Sequence, residues 1–244
     1  IEAVVITGEE EAGLDYTWAT FPASPQSPQS PQSPQSPQSP LLVVDSGGGS
    51  TQVLIVSPGP AVSAVSLPIG AENLTRRFIA HDPPKARELA ALSAHVAAML
   101  DQLPALSLAN AALPAAILMG GSADHVSALS AQPKHQPRLS LGALDAALAV
   151  AQRKSASKLA RDYKLSAKRG RLVAAGAVIL RQVLGHYGVD AAQVKADGIR
   201  GGLIVRYARH GDAWRADLGL QSIPGVRMTA AGAARAQRSR SARD

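Results

Sequence analysis

Cysteine is absent from the 244 residues. Disulfide scaffolds and thiolate metal sites are thereby excluded, and the composition fits a reducing compartment such as the cytoplasm. Aromatic residues are scarce at 3%, with two Trp, four Tyr and two Phe, so no stacking platform for nucleic-acid bases is available. No apolar run approaches the ~20 residues of a membrane span, and no signal peptide is visible. A Gly-Lys-Ser/Thr phosphate loop and a GxGxxG dinucleotide turn are both missing. What remains is a chain 46% hydrophobic, packed by Ala, Leu and Val and long enough for one or two domains. Its net charge of +7 favours polyanionic partners. Much of that excess lies between Arg153 and Arg171 and in the C-terminal tail, so charge alone does not indicate nucleic acid.

The stretch Leu41 to Val56 organises the rest. Four apolar residues end at Asp45, Ser46 and three glycines follow with Ser50 and Thr51, and a second apolar run begins at Gln52. This reads as strand, loop and returning strand. Consecutive N–H groups of Gly47, Gly48 and Gly49 can form an anion-binding concavity, and Ser50 and Thr51 add hydroxyls. Asp45, where strand meets loop, is placed to hold a metal ion beside phosphates. The same residues also read as a hairpin turn with surplus glycine.

In chain order, Ile1–Ile6 reads as a strand and Thr7 opens a helix to about Thr20, with Glu10 at capping-box spacing. Acidic residues in a first turn are stabilised by the helix dipole, and Glu11 lies beyond the box. The Ser-Pro-Gln repeat from Ser24 to Pro40 reads as an extended, polyproline-like surface insertion. Ala61–Leu67 is expected as a third strand and Glu72–Ala80 as a helix. Asp82-Pro83-Pro84 is expected to cap the next helix, which carries Leu89, Leu92, Val96, Met99 and Leu103. Ala115–Met119 reads as a buried strand, Gly120-Gly121-Ser122 as a turn and Ala123–Ser130 as a helix. Ser140 is expected to cap a helix with a basic continuation over Arg153–Lys158, and Leu172–Leu184 to be buried helix. Val194–Ala196 reads as a strand, Asp197–Gly202 as a turn, Leu203–Tyr207 as the start of a final helix, and Gly211 onward as a disordered tail.

Thr7-Gly-Glu-Glu-Glu-Ala12, Asp45-Ser-Gly-Gly-Gly-Ser-Thr51, Ser66-Leu-Pro-Ile-Gly-Ala71, Asp82-Pro-Pro84, Gly120-Gly-Ser122 and Asp197-Gly-Ile-Arg200 occur in one order. That ordered set resembles the exopolyphosphatase / guanosine pentaphosphate phosphatase (Ppx/GppA) family over residues 1 to about 209. The resemblance implies an α/β fold of the actin-like, ribonuclease H-like ATPase superfold. Residues 1–20 would be the end of a first domain, 21–40 a low-complexity linker, 41–209 a nearly complete second domain, and 210–244 a basic disordered tail. It implies cleavage of the terminal phosphoanhydride of inorganic polyphosphate or guanosine pentaphosphate with Mg²⁺ as cofactor, in the cytoplasm, and a homodimer is compatible with it.

Residue by residue, the resemblance makes Glu11 the general base and Asp45 the group that positions metal or water. Gly47, Gly48, Gly49, Ser50 and Thr51 would form one phosphate loop, with Gly120, Gly121, Ser122 and Arg200 adding phosphate contacts. The family's earlier subdomain, with its own Asp-x-Gly-Ser loop, is expected upstream of Ile1. Several charges depart from the pattern. Gln52 and Gly201 stand where glutamate is usual, Gly13 and the neighbourhood of Asn73 where arginine is usual, and Arg171 where aspartate is expected. The implied activity of residues 1–244 is therefore impaired, and a non-catalytic phosphate- or nucleotide-binding member of the family is the rival reading. An actin-like sugar or acetate kinase shares the superfold, but the Glu-Glu-Glu-Ala segment argues against it.

Overall fold

The computed structural model describes residues 5–21, 39–57, 62–103, 115–129, 138–216 and 221–222. The expected strand over Ile1–Ile6 falls partly outside these residues, and Val5 and Ile6 carry no strand. The Ser-Pro-Gln repeat, apart from Ser39 and Pro40, also lies outside them.

Helix α1 (Gly8–Ala19) begins as its sequence dictates. The Glu10 amide donates to the Thr7 hydroxyl at 3.2 Å, and the Thr7 amide donates to the Glu10 carboxylate at 2.7 Å. Strands β1 (Leu41–Ser46), β2 (Thr51–Val56) and β3 (Val62–Leu67) form an antiparallel meander. Beyond them come α2 (Ala71–Phe78), α3 (Ala86–Leu100), β4 (Ala115–Met119), α4 (Gly120–Ser127), β5 (Arg138–Ser140) and α5 (Leu141–Ala151). The chain continues through α6 (Ala156–Tyr163), α7 (Ala167–His186), β6 (Ala191–Val194), α8 (Gly198–His210), a 3₁₀ turn at Gly211–Ala213 and β7 (Gln221–Ser222). The seven strands form one mixed sheet in the order β5-β6-β4-β1-β2-β3-β7, with β4 parallel to β1 and β6 parallel to β4. The fold is therefore α/β.

Alternation along the central strands sends apolar side chains to both faces. Leu42, Val44, Val53, Ile55, Val65, Leu67 and Leu118 join the larger core, packed by the apolar faces of α2 to α7. Val43, Leu54, Val56, Val62, Ala64 and Met119 face the other way and pack against Ala12 and Ala19 of α1. Helix α7 is the hub of the larger face, touching α2, α3, α4, α5 and α6, and eleven of its residues are buried. On the smaller face α1 lies against α8.

Several boundaries differ from the sequence reading. Asp82 does not cap the helix that follows it, which starts at Ala86 with Lys85 as N-cap. Its carboxylate instead accepts from the Ala156 amide at 2.8 Å, at the start of α6. The basic stretch over Arg153–Lys158 is not a continuation of α5, because the Ser155 hydroxyl caps a new helix there. Strand β6 ends at Val194 rather than starting there. The tail is ordered at its start, where β7 pairs with β3.

Candidate active site

The pairing of Asp45 with Gln52 and Ser46 with Thr51 leaves Gly47–Ser50 as the turn, closed by the Gly47 amide donating to the Ser50 carbonyl at 3.0 Å. The loop carbonyls are already engaged. Gly47 O accepts from the Ala71 amide at 2.9 Å, and Gly48 O from the Glu72 and Asn73 amides at 3.0 and 3.1 Å. Asn73 Nδ2 donates to Gly49 O at 3.0 Å. These carbonyls satisfy the orphan N–H groups at the N-terminus of α2, whose Gly70 cap has no side chain to do so. The amides of Gly48, Gly49 and Ser50 enter no hydrogen bond among the described residues, and Gly48 and Gly49 are exposed. A loop with spent carbonyls and available amides suits an anion.

Two of the three hydroxyls expected to face phosphate, those of Thr51 and Ser122, belong to buried residues. Thr51 is fully buried; its hydroxyl donates to the Ile69 carbonyl at 2.6 Å and lies 3.2 Å from that of Ser46. Ser46 Oγ donates to the buried Ser122 Oγ at 3.0 Å. Thr51 and Ser122 thus brace the glycine loop against α4. Gly120, Gly121 and Ser122 are not a turn before a helix but the first residues of α4 itself. Likewise Asp197 is the N-cap of α8, which begins at Gly198, so Arg200 sits in a helical first turn, 3.3 Å from Asp197.

Glu11 and Asp45 come together at the meeting of α1, β1 and β2. Gln52 Nε2 donates to Glu11 Oε2 at 2.6 Å and lies 3.1 Å from Ser50 Oγ and 3.2 Å from Ser66 Oγ. The glutamine, whose neutral amide stands where an acid was expected, therefore holds the candidate base. Burial pushes the Glu11 carboxyl above its usual range, and the charge of Asp45 adds to the rise.

Asp45 is 6% exposed and is wedged between two helix starts. A Cβ on Gly120 would stand 2.1 Å from Asp45 Oδ1, and one on Gly198 would stand 2.6 Å from Oδ2. Both glycines also have positive φ, +83° and +31°. Burial raises the Asp45 carboxyl; its contact with Asp15 opposes the rise and the charge of Asp124 adds to it.

Asp15 was missed by the sequence reading. It lies four residues after Glu11, a spacing that puts both on one helix face and was the available signal. It is completely buried and faces Asp45, yet neither of its oxygens finds a donor. Two ionised carboxylates could only accept, so the contact between Asp15 and Asp45 becomes a hydrogen bond only when one of the pair holds a proton. Burial pushes its carboxyl well above the ordinary range, followed by the charges of Asp45 and Glu11.

A cleft of about 350 Å³ opens beside Asp45. Its walls are the starts of α4 and α8, with Gly120, Gly121, Gly198 and Arg200, together with Asp124, His125 and Arg169. Glu11 and the glycine loop are outside this lining. Burial raises Asp124, aided by Asp197 and opposed by Arg169 and Arg200, while burial and then Arg169 depress His125. Among the described residues no group of three or more His, Cys, Asp or Glu side chains is arranged to hold a metal ion. Nor is any described helix long and apolar enough to cross a membrane.

The other departures have structural partners. Arg171 donates to the carbonyls of Ile79 and His81, tying α7 to the α2–α3 connection. Gly201 lies under the Trp18 ring, where a Cβ would come within 2.3 Å of Cδ2, and Gly202 lies against the Leu14 carbonyl. Gly13, the other position of an expected charge, is buried in α1, the helix that packs on α8. Both losses therefore fall on one pair of packed helices.

Comparison with known proteins agrees with this architecture. Exopolyphosphatase 1 of Mycobacterium tuberculosis is 29% identical over 174 residues, covering 68% of this chain and 50% of that protein. Its Mycobacterium leprae counterpart is 28% identical over 177 residues, 68% of this chain and 51% of the relative. The chain thus spans about half the length of these relatives. Among solved structures, an Aquifex aeolicus member of the Ppx/GppA family superposes with a TM-score of 0.69 at 22% identity, over 86% of this chain and 65% of that one. An exopolyphosphatase from Cytophaga hutchinsonii gives a TM-score of 0.65 at 18% identity, over 84% and 64%. The model of the Ppx/GppA phosphatase family matches residues 1–210. With its actin-like fold and the ordered segments around Glu11, Asp45 and the glycine loop, the chain belongs to the Ppx/GppA phosphatase family.

Proposed function

We propose that this protein hydrolyses the terminal phosphoanhydride of a linear phosphate chain, either inorganic polyphosphate or guanosine pentaphosphate. The observation that carries the reading is Glu11, half-buried and held at 2.6 Å by the Gln52 amide, beside Asp45 and the open amides of the glycine loop. Phosphoryl transfer needs charge neutralisation, a positioned water and a base near it. The amides of Gly48, Gly49 and Ser50 bind oxygens of the terminal phosphoryl group, and Arg200, largely exposed at the cleft rim, adds a cationic contact. Gln52 occupies Oε2 of Glu11 and leaves Oε1 to orient water and accept its proton. A carboxyl raised by burial is a stronger base than an exposed one.

Magnesium fits the residues present. Asp45 supplies a carboxylate at a place where a Cβ on Gly198 would fill the space beside it, and Mg²⁺ is commonly held by one or two carboxylates plus substrate phosphates. When bound, the ion would neutralise charge on the phosphates.

The test is orthophosphate release from polyphosphate and from guanosine pentaphosphate, each assayed alone. Glu11→Gln is expected to lower turnover about 10²–10⁴-fold while polyphosphate binding stays within a few-fold. Equal turnover in the variant would remove Glu11 from the mechanism. Binding without phosphate release by the unaltered protein would favour the non-catalytic reading.

A further inference from the structure

Among the described residues the least satisfied side chain is Asp15. It is completely buried, both its oxygens lack donors, and it faces a second buried carboxylate. An uncompensated buried acid of this kind is costly, and it persists in proteins when a cation or a ligand completes it. Lys195, on the same face, is spent elsewhere: its Nζ donates to the carbonyls of Trp18 and Phe21 at the far end of α1. Arg169 and Arg200 line the cleft on the side of Asp124 rather than the side of α1.

The two carboxyls meet each other beside the backbone of α8. The position that a Cβ would take on Gly198 is 2.6 Å from Asp45 Oδ2 and 3.6 Å from Asp15 Oδ1. Only glycine at this point lets oxygens of two different carboxylates come so close to the α8 backbone. Asp45 also lines the cleft, so one of the two carboxyls is reached from solvent. Hard oxygen donors without nitrogen or sulfur suit Mg²⁺ or Mn²⁺.

We infer that Asp15 is a second carboxylate for the divalent cation at Asp45, the two holding the ion between α1 and β1 beside the bare Cα of Gly198. The inference rests on the metal reading given under Proposed function and adds a ligand to it. It makes the α1 helix bifunctional: Glu11 serves the water, and Asp15, one turn later, serves the metal.

The experiment is Mn²⁺ binding to the purified protein without substrate, followed by the electron paramagnetic resonance signal of free Mn²⁺ and by calorimetry, with Mg²⁺ as competitor. The unaltered protein is expected to bind one Mn²⁺, and Asp15→Asn to weaken binding at least tenfold. Thermal denaturation supplies a readout of opposite sign. Metal-free Asp15→Asn should melt at a higher temperature than the metal-free parent, because the amide donates to Asp45 without first taking up a proton, yet gain little from added Mg²⁺. Undiminished Mn²⁺ affinity in Asp15→Asn would overturn the inference and leave the Asp45 reading standing. Absence of Mn²⁺ binding by the unaltered protein would overturn both. Should Asp15→Asn be insoluble, Asp15→Ser is titrated in the same way with the same expectations.

Discussion

The two faces of the sheet are built on different principles. The larger face, around α7, is closed by Leu, Val, Ile and Ala side chains, and polar groups there mostly cap or tie helices, as Ser155, Asp82 and Arg171 do. The smaller face, under α1 and α8, holds Glu11 and Asp15 beside Asp45, with glycines at 198, 201 and 202 admitting close approach. One face stores stability. The other uses some of it to keep acids close together in a poorly solvated place, the arrangement expected of sites whose groups must be perturbed. The contrast also accounts for the lost family charges, since Gly13 and Gly201 both lie where helices had to come together.

The sharpest way to break this division is to attack the larger face. Leu180→Ala, at a fully buried position of α7, should cost about 2–5 kcal/mol in urea unfolding while kcat of the surviving folded protein is unchanged. A comparable fall in kcat would mean that the two faces are not separable.

Gly202→Ala tests the smaller face with a more modest cost. The new Cβ would meet the Leu14 carbonyl at 2.0 Å and push α1 away from α8. Overpacking of this kind costs about 1–3 kcal/mol. Here the larger loss should be in turnover, because Leu14 adjoins Asp15 and lies one turn from Glu11. A drop in stability with intact turnover would show that the helix pair only supports the sheet.

The smallest effect concerns pH. Folding raises the carboxyls of Glu11, Asp15, Asp45 and Asp124, so the folded state holds more protons than the unfolded one above the ordinary carboxylate range. Their burden is present at neutral pH and is relieved as pH falls through that window. Glu88 acts the other way: hydrogen bonds from His81 and the Lys85 amide hold it at about 2, so its contribution is lost only in stronger acid. The metal-free protein should therefore melt slightly higher at mildly acidic pH than at neutrality, and Asp15→Asn should flatten the rise. A melting temperature that falls steadily from pH 7 downward would contradict the assignment of burdened acids to the α1 face.

The parts legible in the sequence were those set by neighbours in the chain. Thr7 and Glu10 are three residues apart, and their capping box formed; the Asp45–Thr51 hairpin followed from two apolar runs flanking glycines. Asp82 looked like a cap for the helix after it, since local spacing gave no view of Ala156, 74 residues on, whose amide it binds. Gln52 looked like a loss because a charge was missing, yet the amide can donate to Glu11, which a second carboxylate could not without a proton. Asp15 was overlooked for a related reason: its spacing from Glu11 marks a shared helix face but not burial, which depends on Gly201 and Gly202 letting α8 close over α1. Residues that cooperate across distance were the ones that sequence reasoning misplaced.

The capping of α2 by the carbonyls of Gly47 and Gly48 has a mechanical consequence. The peptide units that join Gly47 to Gly48 and Gly48 to Gly49 each have the carbonyl on α2 and the amide free, so an anion bound as proposed would pull through the same rigid planes on α2. Glu72, in the first turn of α2, pairs with Lys168 at the start of α7 at 3.3 Å. A tug at the turn would thereby pass along a lever to the hub helix, making the glycine loop a handle on the domain if it is the cradle proposed.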